Sequence, residues 1–128
     1  MIYLDSSVVL AQLLAENRRL PTALDKAALV SSRLLEYEVW NRIHARGLAP
    51  SHADQVRAIL DHVALMDLTA AVLGRALQPF SVPVRTLDGL HLATVEYLRA
   101  AGAAVELASF DRRLVAGAQA LGIALFAL

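Results

Sequence analysis

The chain opens with MIYLDSSVVLAQLL (residues 1–14), in which a short apolar run gives way to a pattern with helical spacing. The run Met1–Leu4 predicts a strand covered on both faces, since short apolar runs are typical of buried parallel strands. In residues 9–14 the large apolar side chains recur every three or four positions, which predicts a helix capped by Ser6 or Ser7. A buried strand followed directly by a helix is the start of an α/β fold.

The same alternation continues along the sequence. Further strands are predicted at residues 28–30, 64–68, 105–108 and 123–126. Helices are predicted from Ser31 or Ser32 to His44, from Pro50 with an apolar stripe reaching Val63, and at residues 69–78, 87–101 and 111–121, with a short one beginning at Thr22. The pattern predicts one α/β domain over residues 1–128, with a central, mainly parallel sheet.

Composition limits the classes of protein that the chain can be. Its 128 residues are 57% hydrophobic and include no cysteine, which excludes disulfides and thiolate metal ligands. Asp5 interrupts the apolar start, so no cleavable signal is predicted. The longest uncharged stretch, residues 114–128, is shorter than the roughly 20 residues that a membrane helix needs. We therefore expect a cytoplasmic protein with no membrane association.

The charge balance conceals an excess of arginine. The net charge is zero, from 12 basic and 12 acidic residues, and all but one of the basic residues are Arg. Arg makes bidentate contacts with phosphate, so an anionic polymer is one ligand that suits this composition. An Arg-for-Lys bias from a GC-rich genome accounts for it equally well.

Four acidic residues stand where a predicted strand ends or inside the helix that follows one: Asp5, Glu38, Asp88 and Asp111. Each has an ordinary explanation by itself, because the aspartates can act at helix N-termini and Glu38 can pair with Arg42 one turn on. Open α/β sheets, however, place their chemistry beyond the carboxyl ends of the parallel strands. We therefore predict that the four side chains converge at that edge.

Converging carboxylates need a counter-charge. Two of them about 4 Å apart repel by roughly 4 kcal/mol at an effective dielectric constant of 20, so a divalent cation is the expected partner. Oxygen ligands favour Mg²⁺ or Mn²⁺ over zinc. Such an ion can activate water and stabilise a pentavalent phosphate, which is the chemistry of phosphodiester hydrolysis.

The histidines offer no competing metal motif. His44, His52, His62 and His91 show no HExxH spacing, so zinc proteolysis has no support. His91 alone lies near the predicted edge, three residues after Asp88. We interpret it as a structural or RNA-proximal residue and not as a ligand.

Four segments match a known pattern in order and spacing: YLDSS (residues 3–7), Ser32 with Glu38 six positions later, TLDGLHLA (residues 86–93) and SFDRRL (residues 109–114). They resemble the PIN domain, and within it the VapC toxins of bacterial toxin–antitoxin pairs. The resemblance extends over essentially the whole chain. Gly89 departs from it, where Ala is common, and is expected to weaken its helix without removing a ligand.

The resemblance implies a three-layer α/β/α sandwich and a Mg²⁺- or Mn²⁺-dependent endoribonuclease. The family's catalytic quartet corresponds to Asp5, Glu38, Asp88 and Asp111. We expect the three aspartates to bind the cation directly, with Glu38 as a ligand or water-positioning base. Ser6 and Ser109 occupy the places of supporting hydroxyls.

The resemblance also implies partners. These are an RNA substrate, a VapB-like antitoxin that holds the nuclease inactive, and a second copy of the chain in a homodimer. Arginines near the predicted edge are expected to hold the RNA backbone electrostatically. They are Arg42, Arg85, Arg112 and Arg113.

Two other classes of protein are compatible with the pattern. A non-catalytic PIN-like binding module would keep the scaffold and act through its apolar surface. A phosphoacceptor receiver domain has a similar size and is also doubly wound. That family carries an acid pair after its first strand and a Lys after a later one, whereas this chain has a single Asp5 and an early Lys26.

Overall fold

The computed structural model describes residues 1–14 and 21–128. The strands are β1 (Ile2–Leu4), β2 (Leu29–Ser32), β3 (Val63–Met66), β4 (Glu106–Ala108) and β5 (Ala124–Leu125). The helices are α1 (Ser6–Leu13), α2 (Arg33–Ala45), α3 (Ala49–Leu60), α4 (Ala70–Ala76), α5 (Thr86–Ala100) and α6 (Arg112–Ala120). A 3₁₀ helix, Thr22–Lys26, stands where the short helix was predicted. None of the helices in the described ranges is long and apolar enough to cross a membrane.

The predicted order of elements is confirmed, with two corrections at helix ends. The N-cap of α1 is Asp5, whose side chain accepts a hydrogen bond from the backbone of Ser7. The serine capping prediction was wrong because the helix begins one residue earlier, at Ser6. The apolar stripe assigned to α3 also reached too far, since that helix ends at Leu60 and Val63 begins β3.

The five strands form a parallel sheet with the order β3-β2-β1-β4-β5. Tyr3 of β1 pairs in register with Val30 of β2 and with Leu107 of β4. The chain therefore builds outward from β1 in one direction and restarts on the other side of β1 with β4. Open α/β sheets bind ligands at such a switch point. The order also differs from the 2-1-3-4-5 order of receiver-like folds, which rejects that alternative.

Helices cover both faces of the sheet. Successive strand residues point to opposite faces, so Ile2 and Leu4 pack in a cluster with α1, α2 and α3. Tyr3 packs instead in a cluster with α5 and α6. Burial on both faces explains why the first strand is apolar throughout. The predicted three-layer α/β/α arrangement is thus confirmed.

Candidate metal centre at the switch point of the sheet

Asp5 lies at the switch point, directly after β1. Its backbone N–H donates to the carbonyl oxygen of Ala108, the last residue of β4, over 3.1 Å. The residue is only 5% exposed. A carboxylate with so little access to water needs hydrogen bonds or a counter-charge.

One carboxylate oxygen of Asp5 accepts every hydrogen bond that this side chain makes in the described part of the chain. The Oδ2 atom accepts from Ser7 Oγ at 2.6 Å, from Ser109 Oγ at 2.8 Å and from the Ser7 backbone N at 3.3 Å. These bonds fix the carboxylate and leave Oδ1 without a hydrogen bond. Capping of α1 therefore does not prevent Asp5 from acting as a metal ligand.

The two serine hydroxyls connect Asp5 to the segment between β4 and α6. Ser7 Oγ accepts from the backbone N–H of Phe110, and Ser109 Oγ accepts from that of Asp111, both over 2.9 Å. Each hydroxyl thus donates to the carboxylate and accepts from a backbone N–H of the segment between β4 and α6, to which Ser109 itself belongs. From the sequence, Ser7 was predicted only as a helix cap, although its spacing of two residues from Asp5 was a signal for this contact.

Glu38 lies on α2 and is held by two side chains. Its Oε1 is 2.5 Å from His91 Nε2, and its Oε2 accepts from Ser6 Oγ over 3.3 Å. The alternative pairing of Glu38 with Arg42 is wrong, because no such pair occurs among the described residues and His91 takes its place.

His91 enters the site from α5 and is 1% exposed. Its Nδ1 lies 2.7 Å from the hydroxyl of Tyr3. Burial raises the pKa of Tyr3 above its ordinary value, so this hydroxyl stays protonated at neutral pH. One potential ligand atom from each of Asp5, Glu38 and His91 lies within 4.8 Å of the others. From the sequence, His91 was placed near this edge but was interpreted as a residue other than a ligand, whereas its imidazole belongs to this group of potential ligands.

Asp88 occupies the first turn of α5 and is 8% exposed. Its Oδ2 is buried and has no hydrogen-bond partner within residues 1–14 and 21–128. Burial raises the pKa of Asp88, and the negative charges of Asp111 and Asp5 raise it further, while His91 and Arg85 oppose the shift. Burying an oxygen without a hydrogen bond lowers the stability of the folded protein. A role of this oxygen as a ligand to a cation would explain why it is kept.

Asp111 is the N-cap of α6 and is exposed. Its Oδ1 accepts from the backbone N–H groups of Arg113 and Leu114 over 2.9 Å and 3.3 Å. The capping explanation therefore holds for this residue. Asp111 and Asp88 lie outside the group with ligand atoms within 4.8 Å, but the charge of Asp111 acts on Asp88.

The four arginines assigned to the RNA backbone all have exposed side chains. Arg42 lies on α2, Arg85 is the N-cap of α5, and Arg112 and Arg113 open α6. Within residues 1–14 and 21–128, none of them forms an ion pair. Arg85 is close enough to Asp88 to lower its pKa, against the larger effects that raise it.

The donor atoms fit a hard divalent cation better than zinc. The group within 4.8 Å offers two carboxylates, Asp5 and Glu38, and one imidazole, and Asp88 of α5 is a further carboxylate outside that group. Carboxylates are the ligands that Mg²⁺ and Mn²⁺ prefer. The crowded charges would also be offset by such an ion, which is consistent with the raised pKa of Asp88.

The chain is similar in sequence to a known domain family and to two named ribonucleases. Residues 2–120 match the PIN domain family. Ribonuclease VapC35 of Mycobacterium tuberculosis is 29% identical in sequence, over 99% of this chain and 96% of the relative. Ribonuclease VapC47 of the same organism is also 29% identical, over 95% of this chain and 93% of the relative. Since the family match spans nearly the whole chain, this protein belongs to the PIN domain family.

Proposed function

We propose that the protein is a metal-dependent endoribonuclease toxin that hydrolyses RNA phosphodiester bonds and is neutralised by a cognate VapB-like antitoxin. The observation that carries the proposal is the buried Oδ2 of Asp88, which has no hydrogen-bond partner among the described residues and whose carboxyl has a pKa that burial and the charges of Asp111 and Asp5 raise. Two relatives of matching length carry the name ribonuclease VapC, which supports the same function. The proposal treats residues 1–128 as one PIN-like domain acting in the cytoplasm.

In this proposal Asp5, Asp88 and Asp111 hold Mg²⁺ or Mn²⁺. When bound, such an ion would act as a Lewis acid, lowering the pKa of a bound water and offsetting charge on the phosphate. Ser7 and Ser109 keep the carboxylate of Asp5 in one orientation. Such fixed geometry lets a ligand act without reorganisation during the reaction.

Glu38 is the proposed ligand or water-positioning base. Its carboxylate is half-buried and is held by His91 and Ser6 from two different helices. A carboxylate fixed in this way can keep a water molecule oriented toward the scissile phosphate. Exposed arginines around the edge attract the phosphates of the RNA through a salt-dependent charge interaction. They are Arg42, Arg85, Arg112 and Arg113.

Partner binding forms the rest of the proposal. Several large apolar side chains are exposed, and Leu77 of the α4 C-terminus is the most open at 84%. Leu73 and Leu87 are exposed as well. Exposed apolar residues of this kind are available for burial against a protein partner. We propose that the antitoxin and a second copy of the chain, forming a homodimer, are those partners.

Metal removal tests the proposed reaction. We expect the purified protein to cleave a mixed-sequence RNA in Mn²⁺ or Mg²⁺ and to lose this activity in EDTA, because the ion would supply the Lewis acid that lowers the pKa of the attacking water. Gel analysis of the RNA, with readdition of Mn²⁺ as the control, checks this expectation. Cleavage at an undiminished rate in EDTA would reject the metal-dependent mechanism.

A further inference from the structure

We propose that His91 is a positioning residue that holds the carboxylate of Glu38 at the metal edge, and that Tyr3 fixes the orientation of His91. The inference rests on the proposed function, because it concerns the same site. Its basis is a continuous chain of side-chain contacts. Tyr3 Oη lies 2.7 Å from His91 Nδ1, and His91 Nε2 lies 2.5 Å from Glu38 Oε1.

The chemistry of Glu38 decides the direction of these hydrogen bonds. An ionised carboxylate only accepts, so His91 Nε2 must carry a proton and donate it. In the neutral imidazole the proton on Nε2 leaves Nδ1 as an acceptor. The Tyr3 hydroxyl is the donor that Nδ1 then requires. The contact with Tyr3 therefore satisfies Nδ1 in the imidazole tautomer that can hold Glu38, and fixes the ring orientation.

The second oxygen of Glu38 is held from another direction. Ser6 Oγ donates to Oε2 over 3.3 Å, from the first residue of α1. The last torsion of a Glu side chain is otherwise broad, and ordering a long side chain costs conformational entropy. Donors on both oxygens remove much of that freedom before any ion or substrate binds. The carboxylate is thereby preorganised for ligation.

The position of His91 on α5 connects this role to Asp88. The two residues are three positions apart in one helix, so their side chains lie on the same helical face. Both are buried. The helix that presents the partnerless Asp88 oxygen therefore also carries the group that orients Glu38 from α2. Mutating residues that hold a metal ligand, without binding the metal themselves, commonly lowers metal affinity by about 10–100-fold.

A purely structural histidine and a direct imidazole ligand are the two alternatives. Because His91 is 1% exposed and hydrogen-bonded on both sides, it would also suit a core that merely satisfies its polar groups. Its imidazole also lies in the group of side chains that could share one ion with Asp5 and Glu38. Metal affinity in a set of matched variants separates these roles.

The experiment measures Mn²⁺ binding by calorimetry in the full chain, without RNA. We expect His91→Phe, which keeps a ring but removes both hydrogen bonds, to weaken binding about 10–100-fold. His91→Gln can still donate an amide hydrogen to Glu38, so most of the affinity should return. Tyr3→Phe should cause a smaller loss, and the exposed His62→Gln should bind as the wild type does.

A second readout reports the tautomer directly. In the metal-free wild type, the ¹⁵N shifts of the His91 ring should show a proton on Nε2 and none on Nδ1. Tyr3→Phe should keep the proton on Nε2, because Glu38 still accepts it, while Nδ1 loses its donor. Because it uses the wild type, this measurement tests the inference even if His91→Phe fails to fold. A wild-type ring protonated on Nδ1 instead of Nε2 overturns the inference.

Two results of the binding series would also overturn it. A folded His91→Phe that binds Mn²⁺ as tightly as the wild type would show that His91 does not position a ligand. A His91→Gln as weak as His91→Phe would indicate that the imidazole itself is the ligand. A wild type that binds Mn²⁺ but cleaves no RNA contradicts the proposed function alone, whereas one that binds no Mn²⁺ contradicts both.

Discussion

Replacing Asp5 by Asn is expected to lower the kcat/KM for RNA cleavage by about 100-fold or more, since even changes to residues that only support a metal ligand cost 10–100-fold. The fold should be preserved. An Asn carbonyl oxygen can accept the same bonds from Ser7 and Ser109 that Oδ2 accepts now. The change therefore removes the negative charge and one ligand oxygen while it keeps the shape of the site.

The rate is measured with a fluorescent RNA substrate in saturating Mn²⁺, and circular dichroism verifies the fold. Asp61→Asn is the matched control, because Asp61 is exposed at the C-cap of α3, before β3 and so at the opposite edge of the sheet. We expect this control to cleave as the wild type does. Equal rates for Asp5→Asn and the wild type would show that Asp5 has no part in the reaction.

Replacing Asp88 by Asn is expected to lower the cleavage activity and to raise the stability of the metal-free protein. Cleavage should fall by about 100-fold or more, as for Asp5. The metal-free protein should nevertheless become more stable at pH 7. Burial raises the pKa of Asp88, so the native state disfavours its charged form. A charge in the first turn of a helix contributes only about 0.3–1 kcal/mol, and the raised pKa indicates that burial outweighs this effect.

The pH dependence of this gain follows from proton linkage. Because the pKa of Asp88 is higher in the native state, that state binds more protons than the unfolded chain from about pH 3.9, the ordinary Asp value, up to the raised pKa. The stability of the wild type falls as the pH rises through that window. The advantage of Asp88→Asn should therefore be absent below the window, grow within it and stay constant above it.

Thermal unfolding in EDTA at pH 7 and near pH 3 measures this effect, with Asp61→Asn as the control that should not shift. Added Mn²⁺ should stabilise the wild type more than Asp88→Asn, since a ligand that binds the native state stabilises it. A lower unfolding temperature for Asp88→Asn than for the wild type in EDTA at pH 7 would contradict the assignment of a destabilising buried charge.

The positions of site residues that come directly after a strand could be predicted from the sequence. Asp5 and Ser109 come just after β1 and β4, and neighbouring parallel strands end at the same edge. Their contact over 2.8 Å follows from that geometry although they are 104 residues apart. Glu38 could be placed on a helix after β2 by the same reasoning.

The contacts between helices could not be predicted in the same way. The bond from His91 to Glu38 depends on how α5 and α2 are set across the edge of the sheet, and periodicity gives only the buried face of each helix. For the same reason the sequence offered Arg42 as the partner of Glu38. Whether Asp88 Oδ2 has a hydrogen-bond partner among the described residues likewise depends on how the elements pack. The local spacing of the sequence does not predict it.

The most direct test of the account is the position of a bound ion. Crystals soaked in MnCl₂ and measured near the manganese absorption edge should show an anomalous peak within about 2.5 Å of one carboxylate oxygen each from Asp5 and Asp88. That result would establish that Asp5, which follows β1, and Asp88, which lies in the first turn of α5, share one cation. An occupied manganese site elsewhere, with neither aspartate in contact with an ion, would contradict it.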